Sequence, residues 1–240
     1  MPSFVRPRPV AWFFFLAAFG TCVALGSWQV ERLKWKEGII AALAEANAGA
    51  TLTALPVDEA ELKPLQFRKI SLKGTWVNAP QGTPGAVEFH LAPRYWQDKF
   101  GYAIVTPFKL ADDRVVMVNR GWVPAKKKEA STRPETAVKG RATINGLVRI
   151  GAERNYMSPP NQPEKNIWFG RDVAAMADAA NIKNVVPAMV DIVGEQDAKQ
   201  LPVPSDGTIR LKNDHLSYIL TWYGIALGIL VIFVVYHRKK

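Results

Sequence analysis

The chain has 240 residues, with 31 Lys and Arg against 21 Asp and Glu and a formal net charge of +10. No charged residue falls from Val10 to Val30 or from Leu216 to Tyr236. Each gap matches the roughly 20 residues that cross a bilayer's hydrocarbon core, which excludes a freely soluble globular protein.

Removing the ends divides the charge. Arg6, Arg8, Arg238, Lys239 and Lys240 carry half of it, and residues 31–215 hold the remaining 26 basic and all 21 acidic groups. That excess is too diffuse for the Lys and Arg stripe of a nucleic-acid groove, so no nucleic-acid partner is expected. Residues 1–9 read as a short tail and 10–30 as the first membrane span. The apolar run exceeds the roughly 7–15 residues of a cleavable signal, which favours an uncleaved signal anchor; Ala24-Leu25-Gly26 is a passable peptidase site, and cleavage is the alternative. The single Cys22 lies inside this span, which removes disulfide and thiolate chemistry from the rest of the chain and suits a small packed helix residue.

Residues 31–215 read as one extracytoplasmic α+β domain with a mainly antiparallel sheet. A partial helical stripe of Leu33, Ile39, Ile40 and Leu43 carries the first helix on to about Asn47 and Gly49. Ala50 to Pro64 is turn-rich and reads as a connector. Strands are expected at Phe67–Val77, Ala86–Ala92, Tyr102–Leu110, Arg114–Trp122, Ala142–Ile150 and Val185–Val193, with Ala111-Asp112-Asp113 as a turn. Lys126-Lys127-Lys128 is expected to be a solvated loop. Asn155 to Pro163 reads as a surface loop, and Trp168 to Ala180 as a helix ending at Asn181. Residues 216–236 form the second span and 237–240 a basic tail. The short basic tails place both termini in the cytoplasm and the large loop outside it.

The domain carries little chemistry. It has no Gly-x-Ser-x-Gly elbow, no phosphate loop of the Gly-Lys-Ser type and no Gly-x-Gly-x-x-Gly, so no catalytic residue is assigned and no enzyme is expected. The three His, at positions 90, 215 and 237, are too far apart in sequence to suggest a clustered metal site. His90 on a strand reads as a satisfied structural residue. Arg120-Gly121-Trp122 fits an exposed turn and a buried strand end equally well.

Several blocks carry a resemblance. Leu25-Gly26-Ser27-Trp28-Gln29 with Arg32, Trp35-Lys36 and Ile39-Ile40 comes first, followed by Phe67-Arg68 and Leu72-Lys73-Gly74. Tyr102, Val105-Thr106-Pro107-Phe108, Val118-Asn119-Arg120-Gly121-Trp122-Val123-Pro124 and Pro163-Glu164-Lys165-Asn166 follow, then Trp168 and Arg171-Asp172. The most specific block is Asn213-Asp214-His215-Leu216-Ser217-Tyr218 with Thr221-Trp222-Tyr223-Gly224. In this order, bracketed by two spans, they resemble the Surfeit locus protein 1 family.

The resemblance implies an assembly factor for haem–copper cytochrome oxidase, of the bacterial haem a chaperone type. It implies a two-pass protein of the bacterial inner membrane with its loop in the periplasm. The implied cofactor is haem a, held transiently, with His215 as the iron ligand and Tyr218 and Trp222 as further haem-binding residues. The implied partners are the catalytic subunit of the oxidase and the haem a synthesis machinery, with the lipid bilayer around the spans. A cofactor-free membrane scaffold that stabilises an oxidase subunit or an assembly intermediate is the alternative.

At about 100° per residue, Tyr218, Trp222 and Ile229 fall within about 60° of His215 around the second helix. Gly224 and Gly228 lie opposite, with the small-xxx-small spacing that permits close helix contact. The glycine face is therefore expected to pack on the first span, near Gly20 and Ala24, and the His215 face to hold a flat apolar ligand. Its propionates would sit near Arg32, Arg210 or Lys212.

Overall fold

The computed structural model describes residues 6–79, 87–151, 159–197, 199–208 and 213–238. It divides into two compact units, Ala44–Thr208 and Met1–Leu43 with Ile209–Lys240. The chain opens on helix α1, Pro9–Ala48, of 40 residues. At 1.5 Å per residue it is about 60 Å long, twice a bilayer's hydrocarbon core. It ends at Ala48, beside the expected Gly49.

Seven strands follow: β1 Lys69–Trp76, β2 Phe89–Trp96, β3 Lys99–Leu110, β4 Val115–Pro124, β5 Arg141–Ile150, β6 Ile167–Trp168 and β7 Val185–Ile192. Their order is β1-β5-β7-β4-β3-β2-β6, and β1 pairs again with β3 through Gly74↔Leu110 and Trp76↔Phe108. The first five strands of that order therefore close into a ring. Five pairings are antiparallel, while β4 with β7 and β2 with β6 are parallel. The mainly antiparallel character was expected; the closure was not. Closure removes two sheet edges that would otherwise present unpaired backbone groups.

Alternation with period two explains what fills the ring. Ile70, Leu72 and Trp76 of β1 point inward with Phe108, Val116, Val118, Ile144, Val148, Val186, Ala188 and Val190. The opposite phase forms a second core on the outer face, where Phe89, Leu91, Val105, Met117 and Met189 meet Trp168 and the short helix α2, Val173–Ala179. Asp172 caps α2 by accepting from Ala175 N–H, and Val173, Met176 and Ala177 form its buried side.

The helix thus starts five residues later than Trp168. Ile167 and Trp168 instead pair with β2, after a left-handed turn at Asn166 (φ 49°). β2 runs past Ala92 to Trp96, because a register shift between Leu91 and Arg94 accommodates Pro93. The connector contains two single-turn 3-10 helices, Glu59–Glu61 and Lys63–Leu65. The expected strand start at Ala86 and residues 155–158 of the expected loop lie outside the described residues.

Arg120, Gly121 and Trp122 lie inside β4 and resolve to the strand reading, with Arg120 and Trp122 buried. Gly121 has φ +128°, and a Cβ there would lie 2.1 Å from the Val203 carbonyl oxygen. That close approach lets residues 122 and 203 exchange both backbone hydrogen bonds, at 2.7 and 2.8 Å. The chain ends in α3, His215–His237, of 23 residues. Both α1 and α3 are long and apolar enough to cross a membrane, with mean hydropathy 1.9 and 2.3 in their spanning stretches.

Candidate functional site

The two long helices run antiparallel, as three cross-connections show. Gln29 meets His215, Ser27 meets Tyr223, and Phe15 stacks on Phe233 with centroids 4.1 Å apart. Among the less exposed positions of α1 are Phe15, Phe19, Cys22, Gly26 and Gln29, and among those of α3 are His215, Ile219, Trp222, Ala226, Ile229 and Phe233. Both sets step by four and three residues, the spacing of paired helices that interlock side chains. Cys22 is a small buried packing residue here, as the sequence suggests.

The expected division of the second helix is reversed. A Cβ added at Gly20, Gly224 or Gly228 would meet nothing within 4 Å, so the glycine face does not pack on α1. Gly26 of α1 does the close packing: a Cβ there would come within 3.0 Å of the Tyr223 ring. The small-residue spacing permits contact without requiring it, and the larger side chains beside His215 interlock instead.

His215 is the first residue of α3. Its Nδ1 lies 2.7 Å from the Gln29 amide oxygen. An amide oxygen only accepts, so Nδ1 carries the proton and donates it. In the neutral ring the lone pair is then on Nε2, which has no hydrogen-bond partner among the described residues. An acceptor on the other ring nitrogen fixes the tautomer and orientation of a metal-binding imidazole in this way. Gln29 is buried, at 9% exposure, in a helix that is otherwise apolar on that side.

The three residues singled out on α3 differ in exposure: His215 and Trp222 are half-buried, whereas Tyr218 is 52% exposed. Sequence reasoning gave no role to Gln29, Ser27 or Tyr223, although Gln29 is a lone amide beside an apolar stripe. Tyr223 OH lies 3.1 Å from Ser27 Oγ, a second polar tie between the helices. Arg32 stacks 4.2 Å over the Trp35 ring; Arg210 and Lys212 lie outside the described residues. His237 donates from Nδ1 to the Phe233 carbonyl at 2.8 Å and packs on its ring, a helix-end role separate from His215.

In the β-domain, no group of three or more His, Cys, Asp or Glu with metal-binding geometry exists among the described residues. His90 departs from the expected satisfied residue: it is 3% exposed and neither ring nitrogen has a hydrogen-bond partner among the described residues. Burial pushes its pKa down to about 4. A cavity of about 540 Å³ is lined by Asn47, Thr51, Lys69, Asn145 and Thr208 among others, and by no imidazole, thiol or aromatic ring. It offers iron no customary ligand.

Comparison with known proteins places these residues in a family. Residues 16–227 match the sequence model of the SURF1 family. The chain is 35% identical over 230 residues to Surfeit locus protein 1 of Mus musculus, covering 90% of this chain and 71% of that protein. It is 34% identical over 222 residues to Surfeit locus protein 1 of Homo sapiens, covering 86% and 70%. It is also 34% identical over 229 residues to a SURF1-like protein of Drosophila melanogaster, covering 91% and 74%. The matched stretch includes Gln29, His215, Tyr218 and Trp222.

Proposed function

The chain belongs to the SURF1 family, and from that premise we propose that it is an assembly factor for a haem–copper cytochrome oxidase. In this reading it binds haem a at the outer end of the second helix and passes it to the oxidase's catalytic subunit. Its work is binding and hand-over, with no bond change catalysed. The observation that supports the reading is the His215–Gln29 hydrogen bond, which takes up Nδ1 and orients the ring so that Nε2 can serve as a nitrogen ligand.

The residues present fit such a cargo. Bound haem supplies an iron that accepts one imidazole nitrogen, and a single protein ligand suits release better than storage. His215 offers that nitrogen at the helix end. Trp222, two turns further along, offers an aromatic wall, and the exposed Tyr218 offers a ring beside the apolar surface of α3. The bilayer is the natural medium for the isoprenoid tail. In a bacterial inner membrane both termini face the cytoplasm and the β-domain the periplasm, beside the oxidase subunit and the haem a synthesis machinery.

Purification from cells that make haem a tests the reading. A Soret band that travels with the protein supports it. No band in the wild-type chain from such cells contradicts it and leaves a cofactor-free scaffold. A carboxy-terminal reporter that folds only outside the cytoplasm contradicts the orientation.

A further inference from the structure

Two buried arginine clusters in the β-domain differ in how completely they are satisfied. In the first, Glu88 holds Arg120 and Arg133. Arg120 Nη1 donates to Glu88 Oε1 at 2.9 Å, Arg133 Nη1 to the same oxygen at 3.1 Å, and Arg133 Nη2 to Oε2. Backbone carbonyls take further donors: Thr136 O accepts from Arg120, and Lys127 O and Lys128 O accept from Arg133. This cluster is closed.

The second gathers Arg94, Arg149 and Arg171 around Asp191. Arg171 Nη2 donates to Asp191 Oδ2 at 3.2 Å, and Arg149 Nε stands 3.7 Å from the same oxygen. Asn119 Nδ2 occupies Oδ1 at 2.8 Å. Arg94 donates to its neighbour Pro93 O at 2.7 Å. Arg149 Nε and Arg171 Nε are buried with no hydrogen-bond partner among the described residues. Each guanidinium has five N–H donors, so among the described residues this cluster has far more donors than acceptors, and three positive charges against one negative. Burial pushes the Arg94 pKa down to about 10, Arg171 and Arg149 add to the effect, and Asp191 opposes it.

Unpaired buried donors and like charges held together cost stability unless an acceptor is supplied. The side chains of Arg149 and Arg171 remain 25% and 19% exposed, so solvent and small solutes reach the cluster. Planar guanidiniums match the paired oxygens of phosphate and carboxylate.

We propose that Arg94, Arg149 and Arg171, arranged around Asp191 on the outer face of the sheet, form a binding site for a single oxyanion group, phosphate or carboxylate. The site joins two sequence blocks that the haem reading leaves unused, Asn119 in β4 and Arg171 before α2. It shares no residue with the His215 site, so either reading can fail without the other.

The test is titration of the full chain, in an uncharged, phosphate-free detergent, with inorganic phosphate and separately with glutarate, against chloride at matched ionic strength. Phosphorus NMR line broadening and the thermal midpoint are the readouts. The expected result is saturable binding with a raised midpoint in the wild type. Arg94→Gln should weaken phosphate binding about tenfold, the loss of one charge-assisted contact, and raise the unliganded midpoint by relieving like-charge repulsion. Asp191→Asn should lower the unliganded midpoint, bind phosphate more tightly and recover stability when phosphate is added. A phosphate response that disappears in nanodiscs containing phosphatidic acid, and persists in phosphatidylcholine nanodiscs, identifies a lipid phosphate as the source; persistence in both identifies a soluble oxyanion. No saturable response to either anion in the wild type overturns the proposal, as does Asp191→Asn that phosphate does not restore.

Discussion

Gln29 and His215 stand 186 positions apart in the chain, and 2.7 Å separates the Gln29 amide oxygen from His215 Nδ1. That contact joins the helix pair at the end where α3 begins and takes up one imidazole nitrogen. Under the proposed function Gln29 is a positioning residue that acts on haem through His215. Gln29→Leu should weaken haem retention about tenfold or more, the usual effect of removing such a partner. Gln29→Glu, which keeps the acceptor, should retain most of it. Haem titration of the purified variants checks this, and equal losses in both would show that the acceptor is not what matters.

The helix pair makes a second, sharper test. Gly26→Leu drives a side chain into the Tyr223 ring, whereas a Cβ at Gly224 meets nothing within 4 Å. Gly26→Leu should lower the thermal midpoint in detergent and Gly224→Leu should leave it nearly unchanged. The reverse ranking would favour the glycine face of α3 as the packing face.

Among the described residues Glu88 is the only carboxylate paired with Arg120 and Arg133, whose side chains are 6% and 0% exposed. Removing the charge leaves two buried guanidiniums facing each other. Glu88→Gln should cost about 3–5 kcal/mol, as breaking a buried ion pair does when one partner stays charged. Denaturant unfolding followed by tryptophan fluorescence reads it.

His90 makes stability depend on pH. Its folded pKa, near 4, lies below the unfolded value of 6.5, so the unfolded chain binds more protons between those values. Stability therefore rises with pH across that window and falls as pH drops from 6.5 towards 4, by about 3 kcal/mol at most. His90→Phe should flatten that dependence in unfolding curves collected from pH 7 to pH 4. An unchanged slope would assign it to other groups.

Much of this architecture was legible in the chain because burial imposes periods. The charge gaps marked both long helices. Alternation in Ile70, Leu72 and Trp76, or in Val116 and Val118, marked strands whose inner side fills one core. Closure of the ring was not legible, because it depends on pairing β1 with β3 and β4 with β7, contacts between distant segments that leave no local period. α2 was placed too early because Trp168 is apolar and buried in either state, and only the Asp172 cap fixes the start.

The candidate site was half legible. His215 was identified through the block that carries the family resemblance, and its position at the start of α3 followed from the charge gap. The packing face was misread. In a helix where nearly every residue is apolar, the four-three spacing of Ile219, Trp222, Ala226, Ile229 and Phe233 does not stand out, while two glycines do. Gln29 passed unassigned because its partner lies on the other helix.

In the proposed function His215 Nε2 holds the iron of haem a. The most direct measurement is the absorption spectrum of the wild-type chain and of His215→Ala, both purified from cells that make haem a, with the variant read again after adding imidazole. The expected result is a Soret band in the wild type, its loss or displacement in the variant, and its recovery with imidazole, which replaces the missing nitrogen. A band of the same position and intensity in His215→Ala would contradict it.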